Sequence, residues 1–302
     1  MRLVMLSGGV GGARMARGLA RLPKAGITLV VNVADDDLIH GMAVSADLDT
    51  VVYTLAGLEG PAGWGRAEET WRIMTEMERF PAADTSFRLG DLDLATNIYR
   101  TGRLAEGDRL SDITRDICTG FGIDMTVLPA SDDQIRTMVT IDDGEIDFQT
   151  YFVRRRHEDR ILGLRYDGVE TAGPAPGVLE AIATADAVLI GPSNPVLSVW
   201  PILEIPGVRE ALAAAPAIAA VSPLISGRAL KGPAVDALRS VGLTPDLNGI
   251  VGAYRGLVTH LVIDDTETGS PPPDVDLLRT NTLIAEPGAA ARLAVEITEW
   301  LS

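Results

Sequence analysis

Short apolar runs rich in β-branched residues alternate along this chain with longer segments of helical periodicity. Helical spacing is clearest over Arg14–Leu22, which follows the first apolar run, and over Ala289–Trp300. Alternation of this kind is typical of a parallel sheet covered by helices. We therefore predict an α/β fold with a doubly wound, mainly parallel sheet. Its predicted strands are Leu3–Leu6, Ile27–Val33, Met125–Leu128, Ala187–Ile190, Ala217–Val221 and Leu261–Ile263.

The stretch from residue 66 to residue 120 departs from this alternation, because helical patterns follow one another there with few strand signals. We interpret it as a helical insertion or cap, approximately over residues 60–122, within a single α/β domain spanning residues 1–302. Beyond it, strands Thr137–Ile141 and Ile146–Phe152 are predicted around the turn Asp142-Asp143-Gly144. The predicted helices of the insertion are Glu68–Arg79, Leu92–Thr101 and Leu110–Thr119.

The charge balance excludes several classes of partner. The 302 residues include 26 Lys and Arg against 42 Asp and Glu, which gives a formal net charge of −16. Such a surface repels nucleic acids and anionic membranes, so we expect neither as a partner. A phosphate can still bind where backbone N–H groups, arginines or a metal ion supply local positive charge.

Cysteine content and the first residues bear on the compartment. Cys118 is the only cysteine, so an internal disulfide is excluded, which suits a reducing cytoplasm. Met1–Leu6 runs directly into glycines, without the long apolar region and small-residue cleavage site of a secretory signal. No apolar run approaches the length of a membrane span. We therefore expect a cytoplasmic protein.

A glycine-rich segment, Ser7–Arg14, lies between the first predicted strand and helix. Glycine lets the backbone approach a phosphate closely, and a helix N-terminus presents free N–H groups to it. The segment is not a P-loop, because no Gly-Lys-Ser/Thr follows, and Arg14 occupies the third glycine position of the dinucleotide fingerprint. We favour anion binding over a turn without a ligand. The candidate residues are Gly8, Gly9, Gly11, Gly12 and Arg14.

Carboxylates follow the second predicted strand: Asp35 and Asp36 come first, and Asp47 and Asp49 soon after. Because the carboxyl ends of parallel strands meet at one crevice, we expect Asp35 and Asp36 near the glycine-rich segment. Carboxylates beside a phosphate would repel it unless a cation intervened, and Mg²⁺ binds carboxylates and phosphate oxygens together. Two alternatives are a solvated acidic loop and a dinucleotide enzyme in which Asp35 holds a ribose hydroxyl. Spacing alone gives the metal and ribose interpretations equal support.

A second polar segment, Gly191–Pro195, follows an apolar strand and is expected at the same edge of the sheet. Its serine and asparagine offer donors and acceptors suited to a guanine edge or a phosphate. A proline-bounded turn that caps the next helix explains the segment equally well. The candidate binding residues are Gly191, Ser193 and Asn194.

Taken together, these segments resemble the 2-phospho-L-lactate transferase family, which includes the bacterial phosphoenolpyruvate transferases of coenzyme F420 biosynthesis. The resemblance covers most of the chain, and Asp47-Leu48-Asp49-Thr50 followed by Gly191-Pro192-Ser193-Asn194-Pro195 is its most specific element. The other markers are Ser7–Arg14, Asn32–Asp36, Gly63-Trp64-Gly65, Glu69-Thr70, Arg88-Leu89-Gly90-Asp91, Leu128-Pro129, Asp132-Asp133, Phe148-Gln149 and Ser222-Pro223.

The resemblance implies a Rossmann-like, Mg²⁺-dependent phosphotransferase that is often a homodimer. Its donor is a phosphorylated three-carbon acid joined to guanosine through a diphosphate. Its acceptor is the deazaflavin 7,8-didemethyl-8-hydroxy-5-deazariboflavin, whose ribityl hydroxyl is phosphorylated with release of GMP.

The same resemblance implies roles for particular residues. Asp49 and Arg88 are expected to contact the deazaflavin, and the two glycine-containing segments to hold the guanosine diphosphate portion. Asp35 and Asp49 are the implied metal ligands. Asp49 is also our candidate for orienting the attacking hydroxyl and accepting its proton, with Asp47 as a second catalytic candidate.

The chain departs from the family pattern at Leu92 and Asn97, where an arginine and a histidine are frequent. The identity of the donor acid therefore stays open among phospholactate, phosphoenolpyruvate and phosphoglycerate. Two other functions are weighed against the transferase. A nucleotide-sugar-binding regulator of a related subfamily is disfavoured by Asp47-Leu48-Asp49-Thr50, and an NAD(P)-dependent oxidoreductase is disfavoured by Arg14.

Overall fold

The computed structural model describes residues 1–22, 26–229, 232–270 and 272–302, and within these ranges helices pack around a seven-stranded sheet and three smaller sheets. The strands are β1 (Arg2–Ser7), β2 (Gly26–Val31), β3 (Asp37–Ile39), β4 (Met42–Val44), β5 (Thr126–Pro129), β6 (Arg136–Ile141), β7 (Gly144–Asp147), β8 (Gly163–Asp167), β9 (Ala187–Ile190), β10 (Ile218–Val221), β11 (Leu224–Ile225), β12 (Arg228–Ala229), β13 (His260–Asp264) and β14 (Asp276–Thr280). The α-helices are α1 (Gly9–Leu19), α2 (Ala46–Ala56), α3 (Arg72–Met77), α4 (Asp91–Ala105), α5 (Leu110–Gly120), α6 (Val178–Thr184), α7 (Trp200–Leu203), α8 (Val208–Ala213), α9 (Ala234–Ser240), α10 (Leu247–Ala253) and α11 (Pro287–Trp300).

The seven-stranded sheet is parallel throughout, with the order β14-β13-β10-β9-β1-β2-β5. From β1 the chain moves outward through β2 to β5, then returns to β9 and moves the other way to β14. The direction reverses between β1 and β9, which makes this the switch point of a doubly wound sheet. The topology confirms the predicted Rossmann-like α/β fold.

Two groups of helices accompany this sheet. α1 packs against α2 and α11, whereas α8 packs against α6 and α7. Because crossovers between parallel strands are right-handed, the reversal of direction places the crossover helices of the two halves on opposite faces. The last helix, α11, follows β14 and packs against α1 of the first half. None of the helices in the described ranges combines the length and apolar composition that a membrane span needs.

The helices that pack on the sheet bury its central strands. Every residue of β9 and β10 is buried, as expected for strands with helices on both faces. A small separate apolar cluster, Ile39, Val44, Leu89 and Leu94, joins the β3–β4 hairpin to α4. That cluster fixes the hairpin beside the end of β2.

Two predicted elements differ in extent. The strand predicted over Ile146–Phe152 ends at Asp147 and is followed by a π-helical turn, Thr150–Arg154, because Asp147 accepts hydrogen bonds from the Thr150 N–H and hydroxyl (both 2.7 Å). The helix predicted over Arg14–Leu22 begins earlier, at Gly9. The glycines therefore form its first turns rather than a loop before it.

The helices predicted for the insertion are present as α3, α4 and α5, although α3 is shorter than the predicted Glu68–Arg79. α4 packs against β4 and α5, and α5 packs against β5. The division of residues 1–302 into one domain with an insertion at approximately 60–122 stays a prediction.

α3 and α4 are joined by carboxylates that cap each other's helix. Glu69 accepts hydrogen bonds from the N–H groups of Leu92 and Asp93 (both 2.8 Å) at the start of α4. Asp91 accepts hydrogen bonds from the N–H groups of Arg72 and Ile73 (both 3.1 Å) at the start of α3. Glycine is required at position 90, because a Cβ there would lie 2.1 Å from the carboxyl carbon of Glu69. Carboxylates at helix N-termini are stabilising. This arrangement gives Glu69-Thr70 and Gly90-Asp91 a structural role.

Candidate active site

The segments on either side of the switch point, residues 7–12 and 191–195, are called here the switch-point loops. Ser193 Oγ accepts a hydrogen bond from the Gly8 N–H (3.1 Å) and donates one to the Gly8 carbonyl oxygen (2.8 Å). A Cβ on Gly11 would lie 2.2 Å from the Pro192 carbonyl oxygen, and one on Gly12 would lie 2.8 Å from Ser193 Oγ. Gly11 and Gly12 are therefore required for the close contact between the loops.

The N-terminus of α1 is capped by a carboxylate of the protein itself. Asp47 Oδ1 accepts a hydrogen bond from the Gly9 N–H (2.7 Å), and Asp47 Oδ2 accepts one from Asn32 Nδ2 (3.0 Å). This contact places Asp47 beside the glycines. It also means that the N–H groups of Gly8 and Gly9, expected to face a phosphate, form hydrogen bonds within the protein.

Asn194 caps the π-helical turn Pro195–Val199. Its Oδ1 accepts hydrogen bonds from the N–H groups of Val196 and Leu197 at 3.0 and 3.1 Å. The neighbouring Gly191 N–H donates to the Leu6 carbonyl oxygen (3.0 Å). Among the described residues, no acceptor takes a hydrogen bond from the Asn194 amide nitrogen, so this group can still donate to a ligand.

Four aspartates, Asp35, Asp36, Asp47 and Asp49, form a cluster in which the charges of neighbouring members act on one another; it is called here the acidic crevice. Asp35 Oδ1 and Asp36 Oδ1 are buried and have no hydrogen-bond partner in the described ranges, whereas Asp36 Oδ2 accepts from Ser45 Oγ (2.7 Å). Burial raises the pKa of Asp35 well above its ordinary value, and the charges of Asp47 and Asp36 add to the effect. Burial likewise raises the pKa of Asp36 and of Asp47. The crevice therefore favours a proton or another cation.

Asp49 differs from its neighbours because it has a buried counter-ion. The Arg100 guanidinium bonds both of its carboxylate oxygens: Nη1 donates to Oδ2 at 3.1 Å, and Nη2 donates to Oδ1. Burial alone would lower the pKa of Arg100, but the charge and hydrogen bonds of Asp49 outweigh it, so that this pKa is raised. Asp49 and Arg100 thus form a neutral pair inside an otherwise anionic crevice.

Arg88 lies on the exposed surface beside α3. Its guanidinium pairs with Glu78 (2.5 Å) and lies 5.5 Å from the centre of the Trp71 ring. No hydrogen bond or ion pair links Arg88 with Asp49 in the part of the chain described. Arg88 and Asp49 are both expected to contact the deazaflavin, but they are held by different partners, Glu78 and Arg100.

Arg14 faces a cavity of about 300 Å³ on the flank of α1. The cavity is also lined by Arg17, Glu59 and Gly63, and Arg17 is ion-paired with Glu59. Arg14, which is half-buried, forms no ion pair with any described residue. An unpaired guanidinium at a cavity is suited to a phosphate or a carboxylate.

Sequence reasoning missed Arg100, Tyr53 and Asp93. The Tyr53 hydroxyl donates to Asp93 Oδ1 (2.8 Å), and burial followed by the charge of Asp49 raises the pKa of Asp93 to about 6. One signal was available: Leu94, Asn97 and Arg100 recur at intervals of three residues, which places Arg100 on the buried side of α4. Its partner was not detectable, because Asp49 lies 51 positions away.

The fold and these contacts define a Rossmann-like α/β protein with a polar site at its switch point. The family model described as 2-phospho-L-lactate transferase CofD matches residues 3–280. A phosphoenolpyruvate transferase of Kitasatospora aureofaciens is 45% identical over 262 residues, which are 84% of this chain and 82% of that protein. A 2-phospho-L-lactate transferase of Methanopyrus kandleri is 37% identical over 302 residues, with 98% and 96% covered.

Solved structures agree on the fold. A crystal structure of a UPF0052 family protein from Bacillus halodurans superposes with a TM-score of 0.65 at 17% identity, with 98% of each chain covered. The chain belongs to the 2-phospho-L-lactate transferase CofD family. This is a family of transferases, and the resemblance inferred from the sequence is confirmed.

Proposed function

We propose that this protein transfers a phosphorylated three-carbon acid from a guanosine diphosphate-linked donor to the ribityl hydroxyl of 7,8-didemethyl-8-hydroxy-5-deazariboflavin, releasing GMP, in coenzyme F420 biosynthesis. Family membership and relatives named for this type of transfer support the proposal. The observation that carries it is the acidic crevice at the switch point, where Asp35 and Asp36 keep buried oxygens without a hydrogen-bond partner among the described residues. Unsatisfied buried oxygens mark a place where a ligand completes the structure.

Mg²⁺ is the proposed cofactor, and Asp35 and Asp36 suit it better than Asp49 does. One buried oxygen of each, Oδ1, has no hydrogen-bond partner within the described ranges, whereas both oxygens of Asp49 are bonded to Arg100. Within those ranges no group of three or more His, Cys, Asp or Glu side chains is arranged to hold a metal ion. Mg²⁺ commonly takes only one or two carboxylates, with waters and substrate phosphates as its other ligands. When bound, it would neutralise charge on the diphosphate.

In the proposed reaction, the ribityl hydroxyl oxygen attacks the phosphorus that carries the three-carbon acid. The bond from that phosphorus to the oxygen bridging to GMP breaks, and GMP leaves with this oxygen. We assign Asp49, held by Arg100, to orienting the hydroxyl. Asp47 is assigned to accepting its proton, because burial raises the pKa of this carboxyl towards the range in which a general base works.

The donor is proposed to occupy the switch-point loops and the cavity beside Arg14. The guanidinium of Arg14, which forms no ion pair with any described residue, suits a phosphate or the carboxylate of the three-carbon acid. The Asn194 amide nitrogen offers a donor to guanine or to a phosphate. Gly191, Ser193 and the glycines of α1 would then shape the loops rather than cradle the phosphates with their own N–H groups.

For the acceptor, we propose that Arg88 and the adjacent Trp71 contact the deazaflavin ring. Both side chains are exposed, and their position is fixed because Asp91 caps the start of α3 beside them. We also propose a cytoplasmic homodimer, which multi-angle light scattering of the purified protein would test.

The deciding assay incubates the protein with the deazaflavin, Mg²⁺ and, in separate reactions, the guanylylated forms of phospholactate, phosphoenolpyruvate and phosphoglycerate. We expect GMP and one phosphorylated deazaflavin product, identified by mass, and loss of both when EDTA is added. The donor that reacts fastest identifies the three-carbon acid. Absence of product with all three donors would reject the proposal, and a thermal shift with a UDP-sugar would then favour the regulator.

A further inference from the structure

We propose that Arg100 is a positioning residue that holds the carboxylate of Asp49 in one orientation for the hydroxyl of the acceptor. The inference rests on the proposed function. It concerns a residue that does not itself touch the substrate.

The contact between the two residues fixes the plane of the carboxylate. Arg100 uses both terminal nitrogens, one on each oxygen of Asp49. A planar guanidinium that bonds a carboxylate at two points restricts its rotation as well as its position. Each carboxylate oxygen has about two lone pairs, so two acceptor directions remain after Arg100 is bound. The proposal requires one of these directions to open to the acceptor hydroxyl, because the Asp49 side chain is only 7% exposed.

Arg100 is itself held by its surroundings. It is the largest of the fully buried side chains, with 2% exposure, and its Nη1 also donates to Asn97 Oδ1 (2.8 Å) and to the Ala43 carbonyl oxygen (3.0 Å). The Ala43 N–H in turn donates to Thr101 Oγ1 on the same helix (2.8 Å). Arg100 therefore joins α4, α2 and the β3–β4 hairpin at one point, which makes the orientation of Asp49 a property of the assembled fold.

Charge explains why an arginine is needed there. Asp36 lies close enough to both Asp49 and Asp47 for their charges to act on it. A guanidinium keeps its positive charge at all accessible pH values, whereas a lysine can lose its proton when buried. Arg100 thus places a fixed positive charge directly against the carboxylate of Asp49 within the acidic crevice.

A double-variant cycle separates positioning from simple charge balance. Arg100→Met alone leaves a buried carboxylate unpaired, so we expect Tm to fall by roughly 5–10 °C. Combining it with Asp49→Asn removes both charges, and Tm should return to within about 3 °C of the wild type. Turnover should not return: kcat of the double variant should stay at least about 100-fold below that of the wild type. Recovery of turnover together with Tm would overturn the proposal.

Arg100→Lys tests the two-point contact while keeping the charge. We expect a Tm close to that of the wild type, kcat lowered about 10- to 100-fold and an increased KM for the deazaflavin, with KM for the donor unchanged. Wild-type kinetic constants in this variant would contradict the proposal. If Arg100→Lys does not fold, the kinetic constants of Arg100→Met, measured well below its Tm, decide the question, and wild-type values there would contradict the proposal.

Arg103→Met is the matched control, because Arg103 lies one turn further along α4 and pairs with Asp108 and Asp116 instead. Its kinetic constants should equal those of the wild type. The cycle also distinguishes the two proposals. If the wild type forms no product with any donor, the proposed function fails and the inference fails with it. If the wild type is active and Arg100→Lys is equally active, only the inference fails.

Discussion

The switch-point loops and the acidic crevice lie next to each other but satisfy their polar groups differently. In the loops, the Gly8 backbone, the Ser193 hydroxyl and the Asn194 side-chain carbonyl have protein partners, and Ser7 Oγ is the exception that has none within the described ranges. In the crevice, Asp35 and Asp36 each keep a buried oxygen that bonds to no described residue. Polar groups that pair within the protein stabilise a fold, whereas unpaired buried groups are retained for a ligand at a cost in stability. The glycine-rich segment is thus explained by packing, and the binding chemistry is assigned to the crevice.

The largest expected effect is that of replacing Asp35. This change should lower activity strongly without lowering stability. Asp35→Asn should lower kcat about 100- to 1,000-fold, since it removes an anionic oxygen proposed to hold Mg²⁺. Tm should stay equal or rise, because a buried, unpaired carboxylate is removed. Steady-state kinetics and calorimetry measure the two effects. Asp143→Asn, on the exposed β6–β7 turn, should change neither, and a large fall in Tm for Asp35→Asn would mean that this carboxylate stabilises the fold.

Replacing Gly11 tests the switch-point loops, where we expect a loss of stability because packing is disturbed. Gly11→Ala places a Cβ 2.2 Å from the Pro192 carbonyl oxygen, so we expect a loss of about 3 kcal/mol in unfolding free energy. Gly102→Ala is the matched control, because a Cβ there meets no atom within 4 Å and alanine favours a helix interior. Urea unfolding should show Gly102→Ala equal to or more stable than the wild type. Equal stability of the two variants would refute the packing explanation.

The protonation of Asp93, whose carboxyl is affected by the charge of Asp49, should make the stability of the protein depend on pH. Its pKa in the folded protein is raised to about 6, by burial and then by the charge of Asp49, from an ordinary value of 3.8. Between these two values the folded state holds a proton that the unfolded state has lost, so its contribution to stability falls as pH rises through this window. After allowance for solvent screening we expect a fall of about 1–2 kcal/mol.

Asp93→Asn should abolish that contribution while keeping an acceptor for the Tyr53 hydroxyl. Urea unfolding between pH 4 and pH 7 should therefore show the variant gaining stability relative to the wild type as pH rises. A difference that stays constant over this range would show that Asp93 does not titrate there.

The smallest expected effect compares two serines at the ends of neighbouring strands. Ser193→Ala removes both hydrogen bonds to Gly8 and should cost about 1–2 kcal/mol. Ser7 Oγ is buried without a partner in the described ranges, so Ser7→Ala should change stability by less than about 0.5 kcal/mol. Thermal unfolding compares the two variants. If Ser193→Ala instead leaves Tm unchanged and raises KM for the donor, its hydroxyl serves the ligand rather than the loops.

Elements that depend on local pattern were predicted from the sequence. The runs at 187–190 and 217–221 are strands to within one residue, because a short apolar run bounded by turn-forming residues is typical of a buried strand. The β3–β4 hairpin and β14 were not predicted. They are short and partly exposed, and their pairing depends on neighbours distant in sequence rather than on their own pattern. The end of β7 was misplaced because a capping carboxylate, Asp147, overrides the strand pattern after it.

The sequence by itself determined that the glycines and the aspartates meet at one edge of the sheet, because strand order and chain direction follow from the alternation of strands and helices. Only the tertiary structure decided which aspartate has a counter-ion. Asp35 and Asp49 look alike in the sequence, yet a buried guanidinium reaches Asp49 from another helix. Local pattern determines where a side chain is placed, but electrostatic pairing is determined by whatever the fold brings beside it.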